Sequence, residues 1–508
     1  MRDMSTLQAS QSHPSDRWET HNASSVGRHP WWRVLALTIL LIISIFLYGK
    51  LLGVAQPDAP SLTPFLMRWL LCFLPYGAAC TLVLFTKPAG GRWRWIELGI
   101  IFGGALLLRA MLLPFPPNLS HDSWRYLWDA RVTLHGYSPY VYPPEAKVLQ
   151  PLRDALIYDN SRFRNVPTVY PPGAQAIYLL SYLLAPSNLP FLKGIFLVFD
   201  MATCGALAVL LAHRGLDPRR VVMYAWCPLP IVEFALQGHL DALTITFMVL
   251  AILCAGGTRR GSRMLTGFLI AMATLTKIYP LFLLLVVMRR RDWALLATCI
   301  GTIVLAYIPY LILGHGQVLG YFTTYSGEEG GNAGIVQVVT YSLFFGQGYT
   351  ALAMLQQHIV DILALGLMSC LVLVMRLFKS ISMEAATMVL LGVVLSVSSH
   401  VFPWYTVALL PWITVLPTRV PFTGTLAGGR LAMVGKWLAV IVAWYFCCIS
   451  LIGYFFNNTR DWHIYYALVY DVVLVGLGLA LFIGLWGQFK HLHRLTLEGK
   501  GNGTAKHS

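Results

Sequence analysis

Residues 35–52 read LALTILLIISIFLYGKLL, an apolar run broken by a single charge, Lys50. About 20 residues of α-helix cross the hydrocarbon core of a bilayer. No small-residue cleavage site follows, so the run reads as a retained first span and not as a signal peptide. Working outward, comparable runs lie near 64–85, 95–113, 189–212, 219–236, 239–256, 262–278, 279–289, 292–313, 354–375, 384–402, 403–417, 434–456 and 464–487. Several are short for a full crossing, which implies tilted, re-entrant or paired segments. The expectation is an all-α polytopic bundle of about 13 to 15 transmembrane helices.

Composition agrees. Of the 508 residues, 57% are hydrophobic and 12% charged, and the mean hydropathy is +0.63. A soluble domain carries roughly 25% charged residues. Soluble enzymes, disordered chains and nucleic-acid modules are thereby excluded. A β-barrel is disfavoured because its strands are short and alternating. The net charge of +15 and isoelectric point near 9.4 fit a membrane protein whose Lys and Arg collect in cytoplasmic loops. The nine cysteines lie in apolar segments without a Cys-x-x-Cys pair, so neither a disulfide framework nor a zinc site is expected.

The basic residues set the orientation. Lys87, Arg92 and Arg94 share one loop; Arg259, Arg260 and Arg263 another; Arg289, Arg290 and Arg291 a third; Arg376 and Lys379 a fourth. These loops read as cytoplasmic, with both termini, in a multi-pass protein of the cell (inner) membrane. The basic loop 213–220 belongs with them only if residues 173–212 cross once, the run 173–185 being a half-helix or surface helix. Three regions result: a disordered cytoplasmic tail over 1–33, a transmembrane domain over 34–490 with an external loop at 114–171, and a cytoplasmic tail over 491–508. Glu328 and Glu329, in SGEEGGN, read as a solvated external loop.

The loop 114–171 is long, aromatic and proline-rich, features of a functional segment and not of a disordered one. Pro116 and Pro117 end the third span, and Ser120 can cap a helix from about His121 to Leu134. On it Asp122, Arg125, Tyr126 and Asp129 fall on one face. Trp124, Leu127 and Trp128 fall elsewhere and suit the lipid interface. Position alone also allows plainer roles. Asp122 complements the helix dipole, and Asp129 can pair with Arg125 or Arg131.

Three stretches, HDSWRYLWDARVTLHGYSPYVYPP at 121–144, TVYPPGAQ at 168–175 and WCPLPIVEFALQGHLDAL at 226–243, resemble the GT-C superfamily of integral membrane glycosyltransferases. The likeness is greatest to bacterial polyprenol-phosphate-mannose-dependent α-mannosyltransferases. It extends over roughly 30–490, with its sharp motifs in a small part of that length. Cys227 stands where Asn is common before the proline, and Ala130 where Gly is common.

The resemblance implies a polyprenyl-phosphate sugar as donor, mannose or another hexose, and a cell-envelope glycan or glycolipid as acceptor, in contact with membrane lipid and without nucleic acid. It implies an inverting single displacement with Asp122, the loop-opening acid, as general base. The external, periplasmic loop then carries the catalysis. Arg125, Arg131, Lys277, His400 and Tyr405 are candidates for holding the leaving phosphate. Lys277 can equally be snorkelling to the interface, and His400 can be an interfacial hydrogen-bonded residue. Tyr126 and Asp129 share the Asp122 face. Glu233, His239 and Asp241 flank a helix break at Gly238 and read as lining a substrate pocket, or as a polar helix contact. No metal set is spaced in the local sequence, and no cofactor is called for. A transporter or flippase of lipid-linked sugars, or a polymerase or ligase using pyrophosphate-linked donors, are the competing functions.

Overall fold

In hydrocarbon every backbone N–H and C=O needs an internal partner, so apolar runs of this length become helices. The computed structural model describes residues 31–504 except 58, 89, 326–332, 341–350, 379, 417–428 and 457–462. Glu328, Glu329 and nearly all of the expected N-terminal tail lie outside the described residues. Those described form helices and connecting turns, with no strand among them.

The long helices are α1 (Trp31–Leu52), α2 and α3 (Thr63–Leu71 and Phe73–Phe85, together one rod), α4 (Arg92–Leu112), α7 (Leu189–His213), α10 (Trp293–Leu313), α11 (Ala351–Leu377), α13 (Gly429–Ile449) and α14 (Val472–Thr504). With the flanking turns of α13 and α14 included, they make eight segments long and apolar enough to cross a bilayer. Shorter helices fill the gaps: α5 (Asp122–Leu134), α6 (Pro172–Leu184), α8 (Asp241–Ala255), α9 (Arg260–Thr274) and α12 (Met383–Ser396). The protein is a polytopic helical bundle.

Against the expected 13 to 15 transmembrane helices, eight segments among the described residues are long and apolar enough to cross a bilayer. The remaining apolar stretches, residues 218–236, α8, α9, 279–287, α12 and 403–415, form short or broken helical pieces. Prolines explain the breaks. Pro228, Pro230, Pro280, Pro403 and Pro411 each open or interrupt a segment, since Pro offers no N–H to the preceding turn.

One end of the bundle gathers the basic loops. Arg33 pairs with Glu97 at 3.0 Å and donates to the Lys87 carbonyl, and Arg219 reaches Glu97 at 2.6 Å and Asp217 at 2.7 Å. Arg263 pairs with Asp292, and its Nη2 donates to the Val287 carbonyl at 2.9 Å. Arg214 meets Glu384 at 2.5 Å, and Arg376 donates to the Val286 carbonyl at 2.9 Å. Loop 213–220 is thus at the same end as Lys87. Residues 173–212 traverse the bundle once, through α7, while the 13-residue α6 packs on α5.

Midway, the Arg109 Nε lies 2.5 Å from Asp200 Oδ2, and its Nη1 donates to the Ala225 carbonyl at 2.6 Å. Both side chains are fully buried. These contacts tie α4 and α7 to the broken segment 218–236.

Candidate functional site

The opposite end carries the loop 114–171. Asp122 is the first residue of α5, and its backbone N–H donates to Ser120 Oγ at 3.2 Å. Its side chain is 21% exposed while Ser123 and residues 125–132 are buried. Burial raises the Asp122 carboxyl above the usual aspartate range, against the Ser120 hydroxyl and the Lys277 charge; Asp241 raises it further and Arg125 opposes. Loss of water disfavours the anion more than these partners favour it.

The second wall is the break after Pro228 and Pro230. A π-helical turn, Ile231–Leu236, leads to Gly238 in the left-handed region at φ +74°. Glycine alone enters that region without strain. A Cβ there would also lie 3.0 Å from Lys193 Cγ and 3.1 Å from Ser123 Cβ. Gln237 Oε1 accepts from the amides of Asn118 and Leu119 at 3.1 and 2.9 Å, and Lys193 Nζ donates to the carbonyls of Phe115 and Leu236. These bonds pin the break against the start of the loop.

The turn drives His239 into the interior below Asp122. His239 Nδ1 lies 2.9 Å from Glu233 Oε2, and Nε2 lies 4.0 Å from Asp122 Oδ2. Glu233 is fully buried and also accepts from Tyr454 Oη at 3.1 Å. The imidazole stacks on Trp404 with centroids 3.9 Å apart, and Trp404 stacks on Phe402 at 4.5 Å. The stack therefore sets the plane of the imidazole.

Two residues on, Asp241 opens α8 and pairs with Lys277 Nζ at 2.7 Å. Lys277 also sits over the Tyr405 ring at 3.8 Å, a close cation–π contact. Thr244 and Thr276 hydroxyls meet at 2.8 Å and tie the two segments together. His400 stacks on Phe402 at 5.6 Å, with Nδ1 3.1 Å from Ser399 Oγ. A linked cluster results: Asp122, His239, Glu233, Asp241, Lys277 and Tyr405, with His400 joined through the aromatic stack.

The other α5 residues face elsewhere. Arg125 pairs with Asp129 at 2.7 Å and donates to the carbonyls of Phe163 and Val166. Asp129 also accepts from Gln175 at 3.2 Å. Arg131 binds Asp154 at 2.7 Å, Tyr182 Oη at 3.0 Å and the Leu152 carbonyl at 2.9 Å. Tyr126 stacks on Tyr178 at 4.4 Å. These contacts knit the loop and dock α6.

The expected lipid-facing placement of Trp124, Leu127 and Trp128 is corrected. Leu127 and Trp128 are buried in protein, Trp128 against Tyr158 at 5.2 Å, and Trp124 packs on the core. A helix presents a lipid face only if nothing covers it, and here the rest of the loop folds over α5.

Sequence reasoning missed Tyr454, Trp404, Lys193 and Gln237. Trp404 was within reach, because it adjoins Tyr405 in HVFPWY. Tyr454 ends an apolar run more than 200 residues from Glu233, and carries no local signal. Among the described residues no group of three His, Cys, Asp or Glu is placed to hold a metal ion.

No curated protein matches the chain. Residues 168–403 match the model of glycosyltransferase family 87. The matched stretch contains Glu233, His239, Asp241, Lys277 and His400 and begins beyond Asp122. Taken with eight helices able to span a bilayer, this similarity to glycosyltransferase family 87 supports a membrane glycosyltransferase.

Proposed function

We propose that the protein moves a hexose, mannose by resemblance, from a polyprenyl-phosphate sugar to a cell-envelope glycan or glycolipid, at the external face of the inner membrane with both termini cytoplasmic. The acceptor hydroxyl oxygen attacks the anomeric carbon while the carbon–oxygen bond to phosphate breaks. Configuration inverts, the hydroxyl proton passes to Asp122, and the polyprenyl phosphate leaves. No covalent glycosyl-enzyme forms, so one carboxylate suffices as base. Neither a metal nor a cofactor is invoked.

The observation that carries this reading is the state of the Asp122 carboxyl. Among the described residues its only ion-pair neighbour within 4.0 Å is His239, whereas Asp129 and Asp241 are each held by a full cation. A carboxylate left without a close cation, and pushed toward its protonated form by burial, is a stronger base than an exposed one. His239, with Nδ1 2.9 Å from Glu233, turns Nε2 toward Asp122 at 4.0 Å. Lys277 supplies positive charge for the leaving phosphate.

Asp122→Asn tests this in membranes given radiolabelled polyprenyl-phosphate mannose. Transfer should fall by about 100- to 10,000-fold. The variant should fold. A carboxyl whose folded pKa is raised stabilises below its unfolded pKa and loses that contribution as pH climbs through the folded pKa. At neutral pH, then, replacing it with a neutral amide removes a burdened charge. Undiminished transfer would refute Asp122 as the base. Movement of labelled lipid across proteoliposomes without any sugar transfer would favour a flippase.

A further inference from the structure

Two buried side chains outside the charged cluster tie its two walls to each other. Gln237 is fully buried, one residue before the left-handed turn at Gly238. Its Oε1 accepts from the amides of Asn118 and Leu119 at 3.1 and 2.9 Å, and its Nε2 donates to Asn118 Oδ1 at 2.8 Å. Lys193 of α7 is also fully buried, and its Nζ donates to the Phe115 carbonyl at 2.5 Å and the Leu236 carbonyl at 3.1 Å. Resting on the transferase reading, we propose that Gln237 and Lys193 are positioning residues: together they set the separation of Asp122 and His239, and through it the rate of transfer.

Lys193 is a costly residue to keep. An ammonium out of water is unfavourable unless paired. Among the described residues Lys193 has no carboxylate within ion-pair distance, and its hydrogen bonds go to the two carbonyls. A leucine or methionine would fill the same space without that penalty. What an amine adds is a grip on two stretches of chain at once, the start of the loop 114–171 and the last residue of the π-helical turn. Gln237 repeats the pattern with three bonds to one stretch of the loop. A side-chain amide held at both its oxygen and its nitrogen has no freedom to turn away.

Short leads run from this clasp to the chemistry. Asp122 lies three residues after Leu119, with its own amide bonded to Ser120 Oγ. His239 lies two residues after Gln237, with its amide bonded to the Glu233 carbonyl at 3.0 Å. Gly238 leaves no slack between them: a Cβ there would meet Lys193 Cγ at 3.0 Å and Ser123 Cβ at 3.1 Å. A shift of the loop against the break therefore alters the 4.0 Å between His239 Nε2 and Asp122 Oδ2 directly. Misplacing reacting groups by about 1 Å can cost on the order of 100-fold in rate.

Replacing each side chain tests the assignment. Gln237→Met and Lys193→Met keep most of the bulk and remove the grip. With radiolabelled polyprenyl-phosphate mannose, kcat should fall about 10- to 100-fold in each, with KM for the donor little altered. Gln237→Glu is the rescue. It keeps an oxygen for both amides, and Asn118 can turn its own unbonded Nδ2 to the new carboxyl. Its kcat should recover most of the loss. Reduced yield with unchanged kcat in the folded fraction, or a raised donor KM at unchanged kcat, would overturn the positioning role while leaving the transferase reading intact. Gln237→Glu turning over no faster than Gln237→Met would do the same.

Amide hydrogen exchange supplies a readout that needs no turnover. Exchange over residues 118–122 should rise in Gln237→Met and return toward the wild-type level in Gln237→Glu, with α13 unchanged in both. Unchanged exchange in Gln237→Met would mean that the loop needs no clasp and would refute the proposal. If exchange follows the expected order but wild-type protein transfers no sugar from this donor, the transferase reading fails and the hold of Gln237 on the Asp122 segment stands.

Discussion

The two ends of the bundle both bury charge, and they do so differently. At the basic end the carboxylates of Glu97, Asp217, Asp292 and Glu384 are each gripped by a guanidinium. At the opposite end Asp122, Glu233 and Asp241 share one lysine and one histidine. Burying a charge is tolerable only when it is paired and hydrogen-bonded. Matched charges close a structure. Under-matched ones are the arrangement expected of a site whose electrostatics a bound ligand completes. The loop end also holds a matched buried pair, Arg125–Asp129, so it is the cluster around Asp122, and not the whole end, that differs in charge balance.

The largest effect should come from breaking the matched end. Glu97 is fully buried and receives both Arg33 and Arg219. Glu97→Ala leaves two guanidiniums without their shared carboxylate, a loss of about 3–5 kcal/mol for a buried pair. The inactivation half-life in detergent should shorten steeply, with the surviving folded fraction keeping its specific activity. Lost activity at unchanged half-life would contradict the division between the ends.

That division was only partly legible in the sequence. The long spans were, because 20-residue apolar runs have few alternatives. The basic loops announced their common end through the orientation rule. The breaks in 218–236 and 403–415 were visible as prolines, but not what they accomplish. His239 and Asp241 lie two apart and meet different partners, Glu233 and Lys277. What no spacing rule gives is the left-handed turn at Gly238 that aims His239 back at Glu233 and up toward Asp122. The α5 face was misread for a related reason. One polar face on a 13-residue helix suggests a surface position, whereas Arg125 and Asp129 are buried because loop carbonyls and Gln175 satisfy them. Tertiary partners more than 30 residues away carry that information.

A smaller effect should come from the under-matched end. Glu233→Gln keeps the size of the side chain and an oxygen for Tyr454, but replaces the carboxyl facing His239 Nδ1 with an amide. As a positioning residue Glu233 should change rate more than binding. We expect kcat to fall up to about 100-fold, the loss a slight misplacement of reacting groups can cause, with KM for the donor little altered. The pH profile supplies the independent check. With Asp122 raised by burial, the acid limb of kcat/KM in the wild type should lie above the ordinary aspartate value near 3.9, because the base is lost as pH falls through the raised pKa. Glu233→Gln should displace that limb. An unchanged limb with reduced protein yield would move Glu233 into the structural class.

The smallest effect tests whether charge matters without burial. Asp159 and Arg164 lie 4.0 Å apart on the loop 114–171, with side chains 61% and 37% exposed. Arg164 is also held by backbone carbonyls of Ser161 and Asp159, so its position does not depend on the Asp159 carboxylate. Water and salt screen such a pair, and exposed pairs contribute about 0–0.5 kcal/mol. Asp159→Asn should therefore change neither the inactivation half-life nor kcat/KM beyond experimental error, at low or high salt. The variant sits in the same loop as Asp122, which makes it a stringent control. If it reduced transfer, proximity to the loop would govern activity and the contrast between matched and under-matched buried charge would lose its force. If it leaves both measurements untouched while Glu97→Ala shortens the half-life and Glu233→Gln slows turnover, burial decides that a charge matters, and pairing decides which property it governs.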